Sequence, residues 1–94
     1  MNQITPVPSE AALDALAEEL RYALGTRRLT QRELISLCWT NTSILRALNN
    51  LGMNNAKALH AIENRVTVSP SGQAFCLRKG QRGFTHEFWI ELIL

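Results

Sequence analysis

Apolar residues stand three or four positions apart through the first two thirds of the chain, which is the spacing of amphipathic helices. The first such run begins after Ser9, a residue type favoured at helix N-caps, and stops at Gly25. Acidic side chains occupy the opposite face near its start, where the helix dipole favours negative charge. The pattern predicts a helix over 10–24, preceded by a flexible or extended arm at residues 1–8, which contain two prolines.

Three further helices are predicted from polar capping residues that precede apolar runs. Thr30 and Glu33 have the spacing of a capping box, in which the two side chains satisfy free amides at a helix start. Polar clusters and glycine placement mark the other boundaries. The predicted helices are 31–39, 42–51 with Gly52 after it, and 54–64 with Asn54 or Asn55 as its cap.

The period of the pattern changes after residue 64. Apolar and polar residues alternate over 66–68 and again over 75–78, which is the period of a β-strand. The Ser-Pro-Ser-Gly segment at 69–72 is strong turn chemistry. These features predict a β-hairpin over 65–79 that ends in a basic loop at 79–83.

The tail, residues 84–94, fits two structures. As a strand it places Phe88 and Ile90 on one face, and as a helix it begins with Thr85 as the cap; we favour the helix. In either form it carries more apolar surface than a free terminus should expose. We therefore expect it to dock on the first helix or on another chain.

A chain of 94 residues with 46% hydrophobic content supports one core and one domain. We predict a mainly α fold with a β-hairpin, in which residues 9–94 form a single domain. The chain starts without a basic leader and lacks an apolar run long enough for a membrane span, so a cytoplasmic location is expected. Cys38 and Cys76 lie far apart in apolar surroundings, which predicts two buried thiols and no metal site.

Charge is distributed unevenly along the chain. The net charge of +2 divides into −4 over residues 1–20, +8 over residues 21–83 and −2 over residues 84–94. A basic middle between acidic ends is the electrostatic footprint of a nucleic-acid surface. Double-stranded DNA is therefore the predicted partner.

The succession of helix, tight turn, helix and hairpin in Arg46–Lys79 resembles the winged helix-turn-helix family of DNA-binding proteins. In one register, Leu29–Leu34 opens the positioning helix and residues 42–51 are the recognition helix. That register departs from the family pattern, because Trp39 stands where the turn normally has a small residue or glycine. It also inserts a whole helix before the wing.

In the second register, Ala47–Asn54 forms the positioning helix and its turn, and Gly52 stands where a left-handed backbone favours glycine. Residues 54–64 are then the recognition helix and run directly into a wing at Arg65. We favour this register, in which residues 9–25 are an extra N-terminal helix, 30–64 the helical core, 65–79 the wing and 84–94 a packing or dimerisation element.

The resemblance implies DNA contacts from the recognition helix and the wing. Asn and Lys side chains pair with base edges in the major groove, and Arg and Lys side chains neutralise phosphates. The predicted DNA-binding residues are Asn54, Asn55, Lys57, His60, Arg65, Arg78, Lys79, Arg82 and Arg46.

Other function classes are less well supported by the sequence. The chain has no paired carboxylates, phosphate-binding glycine loop or nucleophile beside a base, so catalysis and a cofactor are not predicted. The alternative is a small adaptor that binds a partner protein through Phe84–Leu94 or the acidic first helix. A homodimer acting as a transcriptional regulator is expected, since one such domain reads only a few base pairs. The resemblance is to small regulators of the phage and mobile-element type, which often combine these two roles, so such an origin is expected. The partner of an adaptor would then be a phage or mobile-element DNA-processing protein.

Overall fold

The computed structural model describes residues 9–93, so the predicted arm at 1–8 and the final Leu94 lie outside the described residues. The elements in chain order are α1 (Glu10–Leu24), β1 (Leu29–Thr30), α2 (Gln31–Thr40), α3 (Thr42–Leu51), α4 (Asn55–Ile62), β2 (Thr67–Val68), β3 (Ala74–Arg82) and β4 (Thr85–Ile93).

Local hydrogen bonds explain where the helices begin. At the start of α1, Ser9 Oγ accepts a hydrogen bond from the Ala12 N–H at 3.1 Å. At α2, Thr30 Oγ1 accepts from the Glu33 N–H at 3.2 Å, and the Glu33 carboxylate accepts from the Thr30 N–H at 2.9 Å. The predicted capping box and the four predicted helices are thereby confirmed, because short-range capping chemistry sets their ends.

The capping box also predicts an effect of acid on stability. Hydrogen bonds from Thr30 lower the pKa of Glu33 in the folded protein. The ionised carboxylate therefore stabilises the fold at any pH above the unfolded-state pKa of Glu33. This contribution is lost as the pH falls through the lower, folded-state pKa. Between about pH 5 and pH 3, the free energy of unfolding should therefore fall less steeply in Glu33→Gln than in the wild type, as measured by urea denaturation. Thr30→Ala should lower the free energy of unfolding by about 1 kcal/mol at neutral pH, because it removes the helix cap.

Glu10→Gln is the matched control, because Glu10 also lies in a first helical turn but its carboxylate makes no hydrogen bond within residues 9–93. If the free energy of unfolding of Glu33→Gln fell with pH as steeply as that of the wild type, the pH dependence could not be assigned to the capping box.

The four strands form one antiparallel sheet with the order β1, β4, β3, β2. The long hairpin of β3 and β4 forms its centre and pairs from Ala74 opposite Ile93 to Arg82 opposite Thr85. The strand β1 extends the sheet by pairing Leu29 with Phe88. The chain is thus a small α+β domain, so the predicted mainly α class with one hairpin understates the sheet.

The hairpin predicted over 65–79 is present only in part. The turn at Ser69–Gly72 forms, but β2 and β3 pair only at Thr67 with Phe75 and at Val68 with Ala74. The longer hairpin is instead residues 74–93. The predicted basic loop at 79–83 therefore belongs mostly to strand β3, because its backbone pairs with β4.

The tail is a strand, so the preferred helical interpretation of residues 84–94 was wrong. Thr85 does not cap a helix, because Gly83 and Phe84 make the tight turn that returns the chain along β3. Aromatic and β-branched residues at 88–90 favour a strand, and strands on both sides satisfy its backbone. The expected docking of the tail is confirmed within the chain, since Phe88 is buried and Ile90 packs against the core.

One hydrophobic core lies between the helices and one face of the sheet. Its members come from all four helices and from the central strands, and α1 packs against α3, α4 and the sheet. The α1 helix contributes side chains that are at most 1% exposed, so it is part of the core of the domain. The α1 residues concerned are Leu16, Leu20 and Leu24.

Candidate nucleic-acid interface

The turn between α3 and α4 has the geometry that the second register requires. Gly52 has φ 66° and ψ 25°, a left-handed conformation that glycine adopts without strain. Its N–H donates to the carbonyls of Leu48 at 3.2 Å and Asn49 at 3.1 Å. Two residues later, Asn54 Oδ1 accepts from the Lys57 N–H at 2.9 Å and caps α4.

The connection between α2 and α3 is different. Asn41 alone joins them, with φ −101° and ψ 112°, and it serves as the C-cap of α2 and the N-cap of α3. Of these two connections, only the one after α3 contains a glycine.

The end of α4 is held directly against the sheet. Asn64, with φ 62°, donates its N–H to the Leu77 carbonyl of β3 at 2.9 Å, and Glu63 forms a bridge to the same residue. The Asn64 side chain accepts a hydrogen bond from Arg78 at 2.7 Å. The position of α4 relative to the hairpin is therefore fixed by hydrogen bonds at its C-terminal end.

A groove of about 170 Å³ lies between the start of α2, α4 and the hairpin. His60 lies on the α4 side with 88% of its side chain exposed, and the exposed Lys79 lies on the hairpin side. Glu63 also borders the groove, with its carboxylate 3.9 Å from His60 Nδ1. Gln31, Ile35, Ala56, Leu59 and Phe88 complete the lining.

Beyond this groove the hairpin continues as two strands to an exposed tip. Arg82, the last residue of β3, has a side chain that is 84% exposed, and its Nη1 lies 4.0 Å from a Glu87 carboxylate oxygen. Gly83 has φ 61°, and a Cβ added there would meet nothing within 4 Å. Phe84 beside it is fully exposed.

Two of the predicted DNA-binding arginines are held by intramolecular contacts. Arg65 donates to Asp14 at 3.0 and 3.3 Å and ties the segment after α4 to α1. Arg78 donates to Glu91 at 2.6 Å, and this hydrogen bond is the main reason that the pKa of Arg78 is raised. In the free protein, Arg65 therefore connects the segment after α4 to α1, and Arg78 connects β3 to β4.

The remaining predicted residues divide between two surfaces. On α4, Lys57 and His60 border one open surface patch, and His60 also borders the groove with Lys79. Asn54 is exposed, whereas Asn55 is half-buried, and Arg46 is exposed on α3. His60 therefore lies between the two surfaces, beside Lys57 on one and Lys79 on the other, and Arg82 lies further along the same hairpin.

The sequence interpretation overlooked the outer face of the sheet. The Arg28 guanidinium carbon lies 4.1 Å from the Trp89 ring centroid, and a Cβ added at Gly80 would lie 2.7 Å from Trp89 Cη2. The alternation of arginine and glycine at 78, 80 and 82 was the available signal, because residues two apart in a strand share a face. It was not used, because this segment was interpreted as a loop.

Cys38 and Cys76 are both buried and unbonded, as predicted, and burial raises the pKa of both thiols. Within residues 9–93, His, Cys, Asp and Glu side chains form no group of three that could hold a metal ion. Across the same residues, no helix has both the length and the apolar character needed to cross a membrane.

Comparisons of this chain with protein-family models, curated proteins and solved structures found no match.

Proposed function

We propose that the protein is a sequence-specific DNA-binding regulator of transcription that contacts double-stranded DNA with α4 and the β3–β4 hairpin. The observation that carries the proposal is the shared groove, in which His60 of α4 faces Lys79 of the hairpin. The glycine turn at Gly52 supports it, because it presents α4 as the second helix of a helix-turn-helix.

The dimensions of α4 suit a major groove. A helix with its side chains is about 10–12 Å across, which fits a groove about 12 Å wide, and the eight residues of α4 give about 12 Å of helix along that groove. Its outward face carries Lys57 and His60 and lacks a fully exposed carboxylate, and Asn54 keeps its amide donors free after capping. Lysine pairs with guanine acceptors and asparagine with adenine, so this face supplies the base contacts.

The hairpin supplies the phosphate contacts in this proposal. From Lys79 to Arg82 the strand rises about 10 Å, and because residues three apart in a strand lie on opposite faces, Lys79 serves the groove side of the hairpin and Arg82 the other side near its tip. The wing is thus assigned to residues 74–93 in place of 65–79. Arg65 and Arg78 support α4 and the sheet through their contacts with Asp14 and Glu91.

A salt series with a random-sequence duplex tests the proposal. We expect binding at low salt, with an affinity that falls linearly on a double logarithmic plot as salt rises. Lys79→Gln and Arg82→Gln should each reduce the slope by about 0.9 and lower the affinity about fivefold to tenfold at 0.1 M salt, because each removes one phosphate contact. Fluorescence anisotropy of a labelled duplex measures both quantities.

Arg27→Gln is the matched control, because it removes one positive charge from a side chain that donates to the Ala23 and Leu24 carbonyls at the end of α1. It should leave the slope unchanged. Absence of wild-type binding at low salt, or equal effects of all three substitutions, would contradict the proposed surface. Selection of bound sites from random DNA then tests base readout, which Lys57→Ala should relax.

The proposed regulator acts in the cytoplasm as a homodimer on a two-fold symmetric site, since a single helix reads few base pairs. The mass of the complex with a selected duplex gives the stoichiometry. An adaptor function based on a free tail is less well supported, because β4 pairs with both β1 and β3 and its Phe88 is buried in the core.

A further inference from the structure

The tip of the β3–β4 hairpin presents an aromatic side chain with no covering contact. Phe84 is fully exposed, whereas Phe75 and Phe88 on the same hairpin are at most 4% exposed. Arg82 and Thr85 close the hairpin as its last pair, which leaves Gly83 and Phe84 as a two-residue loop. A loop with glycine first and at positive φ fits a tight turn that matches the strand twist, so the position of Phe84 is set by a regular backbone.

The side chains around Phe84 are polar and basic. Gln81, Arg82, Thr85 and His86 are all exposed, and the nearest carboxylate, that of Glu87, is largely covered and faces Arg82. An apolar ring beside an arginine and otherwise polar side chains is unlike a hydrophobic protein interface, which surrounds its aromatic anchors with further apolar area. It does match proteins that enter the DNA minor groove with Arg or Gln and push an apolar side chain between base pairs.

We infer that Phe84 is a wedge that partly inserts at a base-pair step in the minor groove beside the site contacted by α4, and so bends the DNA. This role rests on the proposed DNA-binding function and adds a specificity that base-edge contacts do not provide. Pyrimidine–purine steps, TA above all, unstack most easily, so the wedge selects duplexes that carry such a step at the distance set by the hairpin.

The shape of the tip is compatible with this insertion. The minor groove is about 6 Å wide, which excludes a bulky apex. Gly83 contributes no side chain to the apex, and the space beside it is open. Phe84 therefore supplies the side chain of the two-residue loop, and Arg82 precedes that loop at the end of β3.

Fluorescence of 2-aminopurine tests the wedge directly. The probe is a duplex of about 30 base pairs with repeated TA steps, in which 2-aminopurine replaces one adenine at such a step. Wild-type protein should raise the fluorescence by unstacking the base, and energy transfer between dyes at the duplex ends should report a bend. Phe84→Ala should abolish both signals and weaken binding about tenfold, while the salt slope stays unchanged because no phosphate contact is lost.

Two further variants distinguish insertion of Phe84 from a general effect of removing an exposed aromatic side chain. Phe84→Leu should restore part of both signals, because leucine also serves as an apolar wedge. Tyr22→Ala removes another exposed aromatic side chain, on α1, and should change neither signal. Since Phe84 is fully exposed, its variants should unfold at the wild-type urea concentration.

The outcomes distinguish this inference from the function on which it rests. Failure of the wild type to bind any duplex at low salt would overturn both. Binding with an unchanged salt slope, but with equal fluorescence and bend in wild type and Phe84→Ala, would overturn the wedge alone. Phe84-dependent binding to anionic phospholipid vesicles, without a fluorescence change in the duplex, would also overturn it and assign the tip to a membrane surface.

Discussion

Replacing Phe88 with alanine is expected to lower the free energy of unfolding by about 3–5 kcal/mol. Phe88 is 4% exposed, lies in the central strand β4 and pairs with Leu29 on one side and Lys79 on the other. Its ring also lines the groove between α4 and the hairpin. The substitution leaves a cavity between the helices and the sheet, so the loss includes packing as well as burial. Urea denaturation followed by circular dichroism measures it.

The same hairpin offers a control of the same residue type. Phe84→Ala should change stability by less than about 0.5 kcal/mol, because surface substitutions away from packed groups rarely do more. Phe88→Leu keeps most of the apolar volume and gives a measurable fold if the alanine variant is largely unfolded. Equal stability losses at positions 84 and 88 would show that the hairpin is not anchored as described.

The helices were predictable because their determinants are local. Ser9, Thr30 with Glu33, Asn54 and Gly52 each act within four residues, so a short stretch of sequence contains each whole interaction. For the same reason the glycine turn before α4 could be identified. Part of the candidate interface was thus predictable, namely the exposed polar face of α4.

The sheet was harder to predict because its stabilising partners are distant in sequence. The two residues of β1 look like a helix cap, and only their pairing with Glu87 and Phe88 makes them a strand. The pattern of residues 84–94 fitted both a helix and a strand. The strand forms because β1 and β3 pair with it on either side. Strand pairing depends on the tertiary context more than helix capping does.

The roles of the arginines also depended on distant partners. The sequence places Arg65 and Arg78 at the ends of a predicted hairpin, where phosphate contacts were expected. Asp14 and Glu91, which bind them, lie in α1 and β4 and could be assigned only from the fold. Composition identified the basic middle of the chain, and the structure shows which cations are paired within it.

Leu20→Ala is expected to destabilise the protein by about 2–5 kcal/mol, because Leu20 is 0% exposed at the centre of the face that α1 buries. The prediction tests the interpretation of residues 9–25 as an extra helix. An accessory helix would tolerate the loss of one side chain, whereas a helix that packs on α3, α4 and the sheet would not. Urea denaturation gives the free energy.

Tyr22→Ala is the control on the same helix, since 82% of Tyr22 is exposed and its loss should cost less than about 0.5 kcal/mol. A cost below about 1 kcal/mol for Leu20→Ala would support the accessory interpretation, because it falls below the usual range for a fully buried leucine. The expected larger cost also bears on the proposed function. Arg65 reaches Asp14 of α1, so loosening α1 should release the segment that follows α4 and weaken DNA binding together with stability.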